Sequence, residues 1–278
     1  MALLAASQVL AWVPLGHMGV MMAGEQSSFV WYELMTTDVA AAKAFYADVV
    51  GWNTQDVPMP GMTYTLLRVG DTQIGGLMAL PKEARDSGNK ACWVGYVGVG
   101  DADGAAAKVK RLGGDVLGPP IDIPGVGRFA MVSDPQGATF NLFKPAIGGQ
   151  RAVSPEAGHV GWHELHSNDW PRAFEFYADM FGWHKGDALD MGPMGTYQVF
   201  KVGGAAMGGM FNSPGAQAMR FWLYYFNVGD IDAAAQRVGG GGGKIAGDPT
   251  QVPGGNWILQ AADPQGAVFA LLGPRKQH

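Results

Sequence analysis

The chain has a single cysteine, Cys92, among 278 residues. That excludes an intrachain disulfide and any metal site made of several thiolates. Basic residues are neither abundant nor grouped: 19 Lys and Arg stand against 24 Asp and Glu, for a net charge of −5. A nucleic-acid surface needs a clustered positive footprint, so no nucleic-acid partner is expected. Charged residues make up 15% of the chain against 47% apolar ones, which excludes a disordered chain or a coiled coil. The apolar stretch 2–15 falls short of the roughly 20 residues of a spanning helix. It is also broken by Ser7, Gln8 and Pro14. A secretory signal wants a basic n-region, and residues 1–28 contain no Lys or Arg. They read as an N-terminal extension, disordered or loosely attached, with a packed helix or an export signal as alternatives. No membrane partner is expected, and a reducing cytoplasm is the expected location.

Glycine, by contrast, is plentiful at 43 residues. It follows no three-residue period, so it serves turns and close strand contacts rather than a collagen helix. The length suggests two domains, and an internal repeat supplies them. Residues 29–52 (FVWYELMTTDVAAAKAFYADVVGW) answer 159–183 (HVGWHELHSNDWPRAFEFYADMFGW). Trp31 thereby matches Trp162, Glu33 matches Glu164, Tyr46 matches Tyr177 and Trp52 matches Trp183. Residues 62–78 answer 195–211, and SDPQGATFNLF (133–143) answers ADPQGAVFALL (262–272). The organisation is therefore an extension (1–28), domain 1 (29–145), a Gly- and Pro-containing linker (146–158) and domain 2 (159–274).

Each domain splits again into two β-α-β-β-β units. Val30–Met35 alternates as a strand. Asp38 caps a helix whose apolar positions Val39, Ala42, Phe45, Tyr46 and Val49 share one face, and Gly51 ends it. In domain 2 Asp169 caps, Pro171 occupies the first turn and Gly182 ends the helix. Strands follow at Thr63–Val69 and Thr72–Leu80, joined by Gly70-Asp71. The second unit runs through a strand at Trp93–Val99, a helix from Asp101 or Asp103 to near Leu112, and strands near Gly127–Ser133 and Ala138–Lys144. The last two are joined by the Asp134–Gly137 turn.

The Asp-helix-FYxxxxGW run (Asp38 to Trp52, Asp169 to Trp183) and the D-P-Q-G-A turn occur in both repeats. With the four-unit plan they resemble the vicinal oxygen chelate superfamily, which contains glyoxalase I, extradiol dioxygenases, fosfomycin-resistance enzymes and bleomycin-resistance proteins. More narrowly, the W-x-E-L opening strand is similar to bacterial tandem glyoxalase-like proteins. The resemblance implies an α+β fold of two domains, each with paired βαβββ units forming a curved, half-open mixed sheet. It implies a concave cup that holds a divalent metal and a ligand with adjacent oxygens. The ligand positions so implied are occupied here by Trp31, Val94 and Asn141 in domain 1 and by Trp162, Leu223 and Ala270 in domain 2. The fourth position falls near Gly75–Met78 and Gly208–Met210. These residue types depart from a metal donor set. No cofactor is therefore expected, with a divalent metal on displaced ligands as the minor alternative.

Alternation puts Trp31, Glu33 and Met35 on one face of the first strand, and Trp162, Glu164 and His166 on the matching face of domain 2. A carboxylate among indoles and thioethers suffers desolvation, which suits it to act as a general base. Glu33, Glu164 and His166 are the catalytic candidates. The alternative for each carboxylate is simple satisfaction by backbone N–H groups or a buried Arg. Trp31, Trp162, Tyr64, Tyr197, Asn141 and Met35 are the ligand-binding candidates, with the strand cations Arg68 and Lys201 as weaker ones. His163 and His166 point to opposite faces, so HELH is no helical zinc motif. Trp52 and Trp183 read as core plugs. The run Gly239–Gly243 follows a helix and lacks a G-K-[ST] ending, so it reads as a flexible turn and not a phosphate loop. Cys92 reads as an unreactive thiol.

Three functions fit these residues. The first is a small-molecule binding protein of the bleomycin-resistance kind. The second is an enzyme of the lyase, dioxygenase or hydroxylase type. It would be either metal-free with Glu33 or Glu164 as base, or metal-dependent with displaced ligands. The third is a stress-related interaction protein with a vestigial cavity. The expected assembly is a monomer with internally paired domains or a homodimer.

Overall fold

A computed structural model of the chain describes residues 27–59, 62–146, 154–215 and 219–276. The reading of the N-terminal extension therefore falls almost wholly outside the described residues. The first half runs β1 (Phe29–Thr36), α1 (Val39–Val49), β2 (Asn53–Met59), β3 (Met62–Val69), β4 (Thr72–Ala79), α2 (Lys82–Asp86), β5 (Cys92–Gly98) and α3 (Ala102–Arg111). It continues through β6 (Asp115–Val116), β7 (Ile121–Ile123), β8 (Gly127–Ser133) and β9 (Thr139–Pro145). The second half runs β10 (Val160–Ser167), α4 (Trp170–Phe181), β11 (His184–Asp190), β12 (Thr196–Val202), β13 (Ala205–Asn212) and β14 (Phe221–Asn227). It closes with α5 (Ile231–Gly240), β15 (Lys244–Ile245), β16 (Thr250–Gln251), β17 (Trp257–Ala262) and β18 (Val268–Gly273). No helix among the described residues is long and apolar enough to cross a membrane.

Each half makes one mixed sheet. The first has the order β2-β3-β4-β1-β5-β9-β8-β6, and the second repeats it as β11-β12-β13-β10-β14-β18-β17-β15. The opening strand lies in the middle, parallel to the last strand of its own unit (β1 to β4) and antiparallel to the first strand of the next (β1 to β5). Thus the expected α+β plan of two curved, half-open sheets is the observed one. The helix signals act as read. Asp38 and Asp169 accept from Ala41 N and Arg172 N at the two helix starts. Gly182 ends α4 at φ +71°, a left-handed conformation that favours glycine.

From Tyr32 and His163 onward, even-numbered positions of β1 and odd-numbered ones of β10 turn toward the helices and the other half; before them a register shift in each strand puts Phe29 and Val160 there instead. One continuous core holds Phe29, Tyr32, Tyr46, Trp52 and Trp93 together with Trp183, Trp222, Tyr224, Phe226 and Phe269. The contacts obey a pseudo-two-fold relation. Trp93 Nε1 donates to Tyr46 OH, which donates to Asp263 of the other half; Trp222 Nε1 donates to Tyr177 OH, which donates to Asp134. Trp52 Nε1 donates to Gly158 O at 2.6 Å, and Trp183 Nε1 to Ser27 O at 2.7 Å. Both indoles are only 2% exposed, so they are plugs that also tie one half to the other. On the axis itself, Tyr32 OH lies 2.6 Å from His163 Nε2, and these two residues are each other's counterparts in the repeat.

The glycine run begins inside a helix and then turns. Gly239 and Gly240 are the last residues of α5, and Gly241 and Gly243 press against the Phe45 ring of the other half. Gly241 and Gly242 form the expected turn, with Gly242 at φ +83°, and the Phe45 ring closes over one side of it. The short helix α2 has no counterpart in the sequence reading, because five residues carry no periodicity to detect.

Candidate functional site

The opposite face of each central strand looks away from the shared core, on the side where the resemblance implies the cup. In the first half Trp31, Glu33 and Met35 lie there, half-buried, as alternation requires. Tyr64 reaches in from β3 and Tyr96 from β5. Tyr64 OH donates to Glu33 Oε2 at 2.9 Å, and Tyr96 OH to Oε1 at 3.0 Å. Trp31 Nε1 in turn donates to Tyr64 OH at 3.1 Å. Asn141, directly beside Tyr96 in the β5–β9 register, hydrogen-bonds that hydroxyl. Met59, Met62 and Met78 pack around Tyr64 and Trp31. The chain of donors ends on the two Glu33 carboxyl oxygens, which accept.

The same circuit recurs in the second half. Trp162 Nε1 donates to Tyr197 OH at 2.7 Å, and Tyr197 hydrogen-bonds Glu164. Tyr225 OH donates to Glu164 Oε1 at 3.0 Å. Two partners have no equivalent in the first half. His166 Nε2 lies 3.1 Å from Glu164 Oε1, and Gln260 Nε2 lies 3.4 Å from the same oxygen. Met35 and Met131 stand at the matching positions of the first repeat.

The glycine pairs explain how the tyrosines fit. A Cβ at Gly76 would fall inside the Tyr64 ring, and one at Gly209 inside the Tyr197 ring. At Gly75 and Gly208 it would instead strike the Tyr32 and His163 carbonyls. Each pair therefore serves the close backbone approach read from the sequence, and also vacates the space the tyrosine crosses.

Burial pushes the Glu33 carboxyl above the usual carboxylate range, while the two tyrosine hydrogen bonds oppose the shift. Burial and the adjacent carboxylates hold the Tyr64, Tyr96, Tyr197 and Tyr225 phenols well above their ordinary value, so they are donors at neutral pH. Burial, and secondarily Glu33, pushes the Cys92 thiol up to about 11, which keeps it a thiol at neutral pH.

The structure thus brings together Glu33, Trp31, Tyr64, Asn141 and Met35, and separately Glu164, His166, Trp162 and Tyr197. Arg68 is not among them: it bonds Gln55 Oε1 at 2.7 Å and the Asp71 carbonyl at the sheet edge. Neither Arg68 nor Lys201 pairs with a cup carboxylate among the described residues. His163 points the other way, into the shared core, stacked 4.5 Å from Phe29. Sequence reasoning missed Tyr96, Tyr225 and Gln260. For the tyrosines a signal existed. Val94 and Leu223 were already placed on the cup face, and alternation puts Tyr96 and Tyr225 on it two residues later. Gln260 sits in the strand of least distinctive pattern.

The donor set does not fit a divalent ion at the positions implied by the resemblance. Trp31, Val94, Trp162, Leu223 and Ala270 offer no ligating atom, and Asn141 is engaged with Tyr96. Among the described residues no three His, Cys, Asp or Glu side chains converge.

The comparisons agree with this architecture. A family model described as "Glyoxalase/Bleomycin resistance protein/Dioxygenase superfamily" matches residues 28–142 and 157–271. "Putative glyoxylase CFP32" of Mycobacterium tuberculosis is 31% identical over 89% of this chain and 95% of its own. "Anthracycline biosynthesis protein DauV" of a Streptomyces species is 29% identical over 89% of this chain and 94% of its own. A Mn(II)-bound glyoxalase from Novosphingobium aromaticivorans superposes with a TM-score of 0.62 at 19% identity, over 91% of this chain and 83% of that one. The 2,3-dioxygenase LapB from Pseudomonas sp. KL28 gives 0.62 at 13% identity, over 91% and 94%. With both halves matched, the chain belongs to the Glyoxalase/Bleomycin resistance protein/Dioxygenase superfamily, one domain of that kind on each side of the pseudo-two-fold axis.

Proposed function

We propose that the chain binds a small organic molecule in the cups of its two domains, holding the ligand's hydroxyl or amide donors on Glu33 and Glu164 instead of on a metal ion. The observation that carries this reading is the repeated Trp-Tyr-Glu circuit, Trp31–Tyr64–Glu33 and Trp162–Tyr197–Glu164. A carboxylate has about four acceptor sites. Tyr64 and Tyr96 occupy one on each Glu33 oxygen, which leaves further acceptor capacity on both. Indole, phenol and thioether walls suit a planar, partly apolar ligand. The relatives named for anthracycline biosynthesis support an organic ligand of that general kind. Because the two domains cover each other's helical faces, the reading includes action as a single chain.

The raised Glu33 carboxyl supports a second reading, a metal-free enzyme with Glu33 as general base, since a base works best near the operating pH. The test of the first reading is native mass spectrometry on the purified full chain. A small molecule should be retained, should survive treatment with a metal chelator, and should be lost from the Glu33→Gln, Glu164→Gln double variant. Release by the chelator, or retention in the double variant, overturns the proposal.

A further inference from the structure

The second cup holds something the first lacks. His166 Nε2 lies 3.1 Å from Glu164 Oε1, and on the other side of the same ring Nδ1 lies 3.0 Å from Ser213 Oγ. We infer that Ser213, His166 and Glu164 form a nucleophile–base–carboxylate relay that gives this domain acyl-transfer activity toward small esters. The inference shares Glu164 with the proposed function but does not depend on the ligand proposed there.

Hydrogen-bond chemistry sets the proton positions. Tyr225 donates to Glu164 Oε1, so that oxygen acts as an acceptor. Against that accepting oxygen, the base form of the imidazole places its N–H on Nε2 and leaves Nδ1 bare. Nδ1 then accepts from the Ser213 hydroxyl. This arrangement, a hydroxyl on a base whose far nitrogen is fixed by a third group, is the requirement for an activated serine. The ring is also held sterically: it stacks on Phe221 at 4.4 Å and meets Phe211 edge-on at 4.8 Å.

Burial grades along the relay in the useful direction. The Glu164 side chain is 7% exposed and that of His166 14%. Ser213 follows the end of β13 and is half-buried, so a substrate reaches it without entering the core. Ser213 N is tied to Ser167 O at 2.8 Å, which fixes the backbone that carries the hydroxyl. The first repeat supplies an internal contrast. Met35 stands where His166 does and Leu80 where Ser213 does, so its cup has the carboxylate without base or nucleophile.

The step balances with an ester and water. Ser213 Oγ bonds the acyl carbon as His166 Nδ1 takes the hydroxyl proton. The bond from acyl carbon to leaving oxygen breaks, and that oxygen receives the proton. Water, deprotonated by the same nitrogen, then releases the acid and restores the hydroxyl. No oxidant or metal is needed.

The test uses p-nitrophenyl acetate with the full chain. A burst of p-nitrophenolate is expected, with peptide mass spectrometry placing the acetyl group on Ser213. Ser213→Ala should abolish the burst, and His166→Gln should slow it on the order of 100-fold, the typical contribution of a positioned base. The Ser213→Ala chain should keep its far-ultraviolet dichroism and its retained small molecule, which separates failure here from failure of the binding reading. Acetylation confined to other residues of the wild-type chain, or a wild-type burst rate in His166→Gln, overturns the inference. Because the labelled position is read on the wild-type chain, the result stands even if a variant misfolds.

Discussion

Single positions in this chain carry two jobs, and His163 shows how they are separated. Strand alternation sends His166 into the cup and His163 into the shared core, where it is fully buried between Phe29 and Tyr32. Among the described residues its ring nitrogens meet Tyr32 OH and the Met207 carbonyl, and the rings around it are uncharged. Burial therefore drives its pKa down to about 4 from 6.5. The folded state resists protonation that the unfolded state accepts, so stability from this residue is complete above the unfolded value. It is lost as pH falls from 6.5 toward 4. The loss is on the order of 3 kcal/mol at the low end. Asp134, Asp263 and Glu33, all raised by burial, act in the opposite sense as pH rises above the ordinary carboxylate range. A difference experiment removes them. Urea midpoints of wild type and His163→Gln, measured from pH 7 to pH 4, should converge toward the acid side by that amount; parallel curves would contradict the argument. At this scale alternation made Trp31, Glu33 and Met35 legible as a group, and it contained Tyr96 and Tyr225 as well. Ser213 was not legible, since its position opposite His166 depends on where β13 ends beside β10, and no local pattern encodes that.

Elements were read well where a period or a cap exists, and poorly where the partner lies in the other half. The helices begin at Asp38, Asp101, Asp169 and Asp230 because each side chain accepts a backbone N–H of its own first turn. That information is local. The D-P-Q-G-A turn looked equally local, and Asp134 does bind Gln136 N and Ala138 N of its own turn. Yet its other oxygen receives Tyr177 from the FYxxxxGW helix of the opposite repeat. The two motifs that carried the family resemblance bind each other across the halves, and nothing in either one alone announces it. The glycine run behaves the same way. Gly239 sits in α5 with open space around its missing Cβ, whereas a Cβ at Gly243 would lie 2.9 Å from the Ala262 carbonyl and 3.0 Å from Phe45. Gly239→Ala should then raise stability by about 0.5–1 kcal/mol through helix propensity. Gly243→Ala should lower it by roughly 1–3 kcal/mol through overpacking. Opposite shifts in melting temperature four residues apart are the expected result; equal shifts would show that the Phe45 and Ala262 contacts do not constrain the run.

The whole molecule is two sheets whose helical faces complete a single core, so neither half owns its hydrophobic interior. Phe29, Trp183, Trp222 and Tyr224 meet at the axis, with ring centroids of Phe29 to the other three at 6.0, 5.2 and 5.8 Å. Gly95 of the first sheet has no side chain because Tyr224 and Phe29 fill its place, and its N–H donates to Tyr224 OH at 2.7 Å. Removing one half strands these groups: Trp52 loses its acceptor on Gly158, and Asp263 loses Tyr46. The aromatic side chains of the shared core are uncovered with them, and a contiguous exposed apolar face drives association. Residues 27–146 and 154–276, produced separately, should therefore self-associate or aggregate and not remain monomeric. The choice of partner is set on the axis. Pairing two first halves would face Tyr32 with Tyr32, two second halves His163 with His163, and only the mixed pair forms the 2.6 Å bond of Tyr32 to His163. Co-expressed halves should accordingly yield a 1:1 complex in preference to either homodimer, as resolved by light scattering after size-exclusion chromatography. A half that remains monomeric and melts cooperatively on its own would show that the core is divisible and that the pairing is an accessory contact.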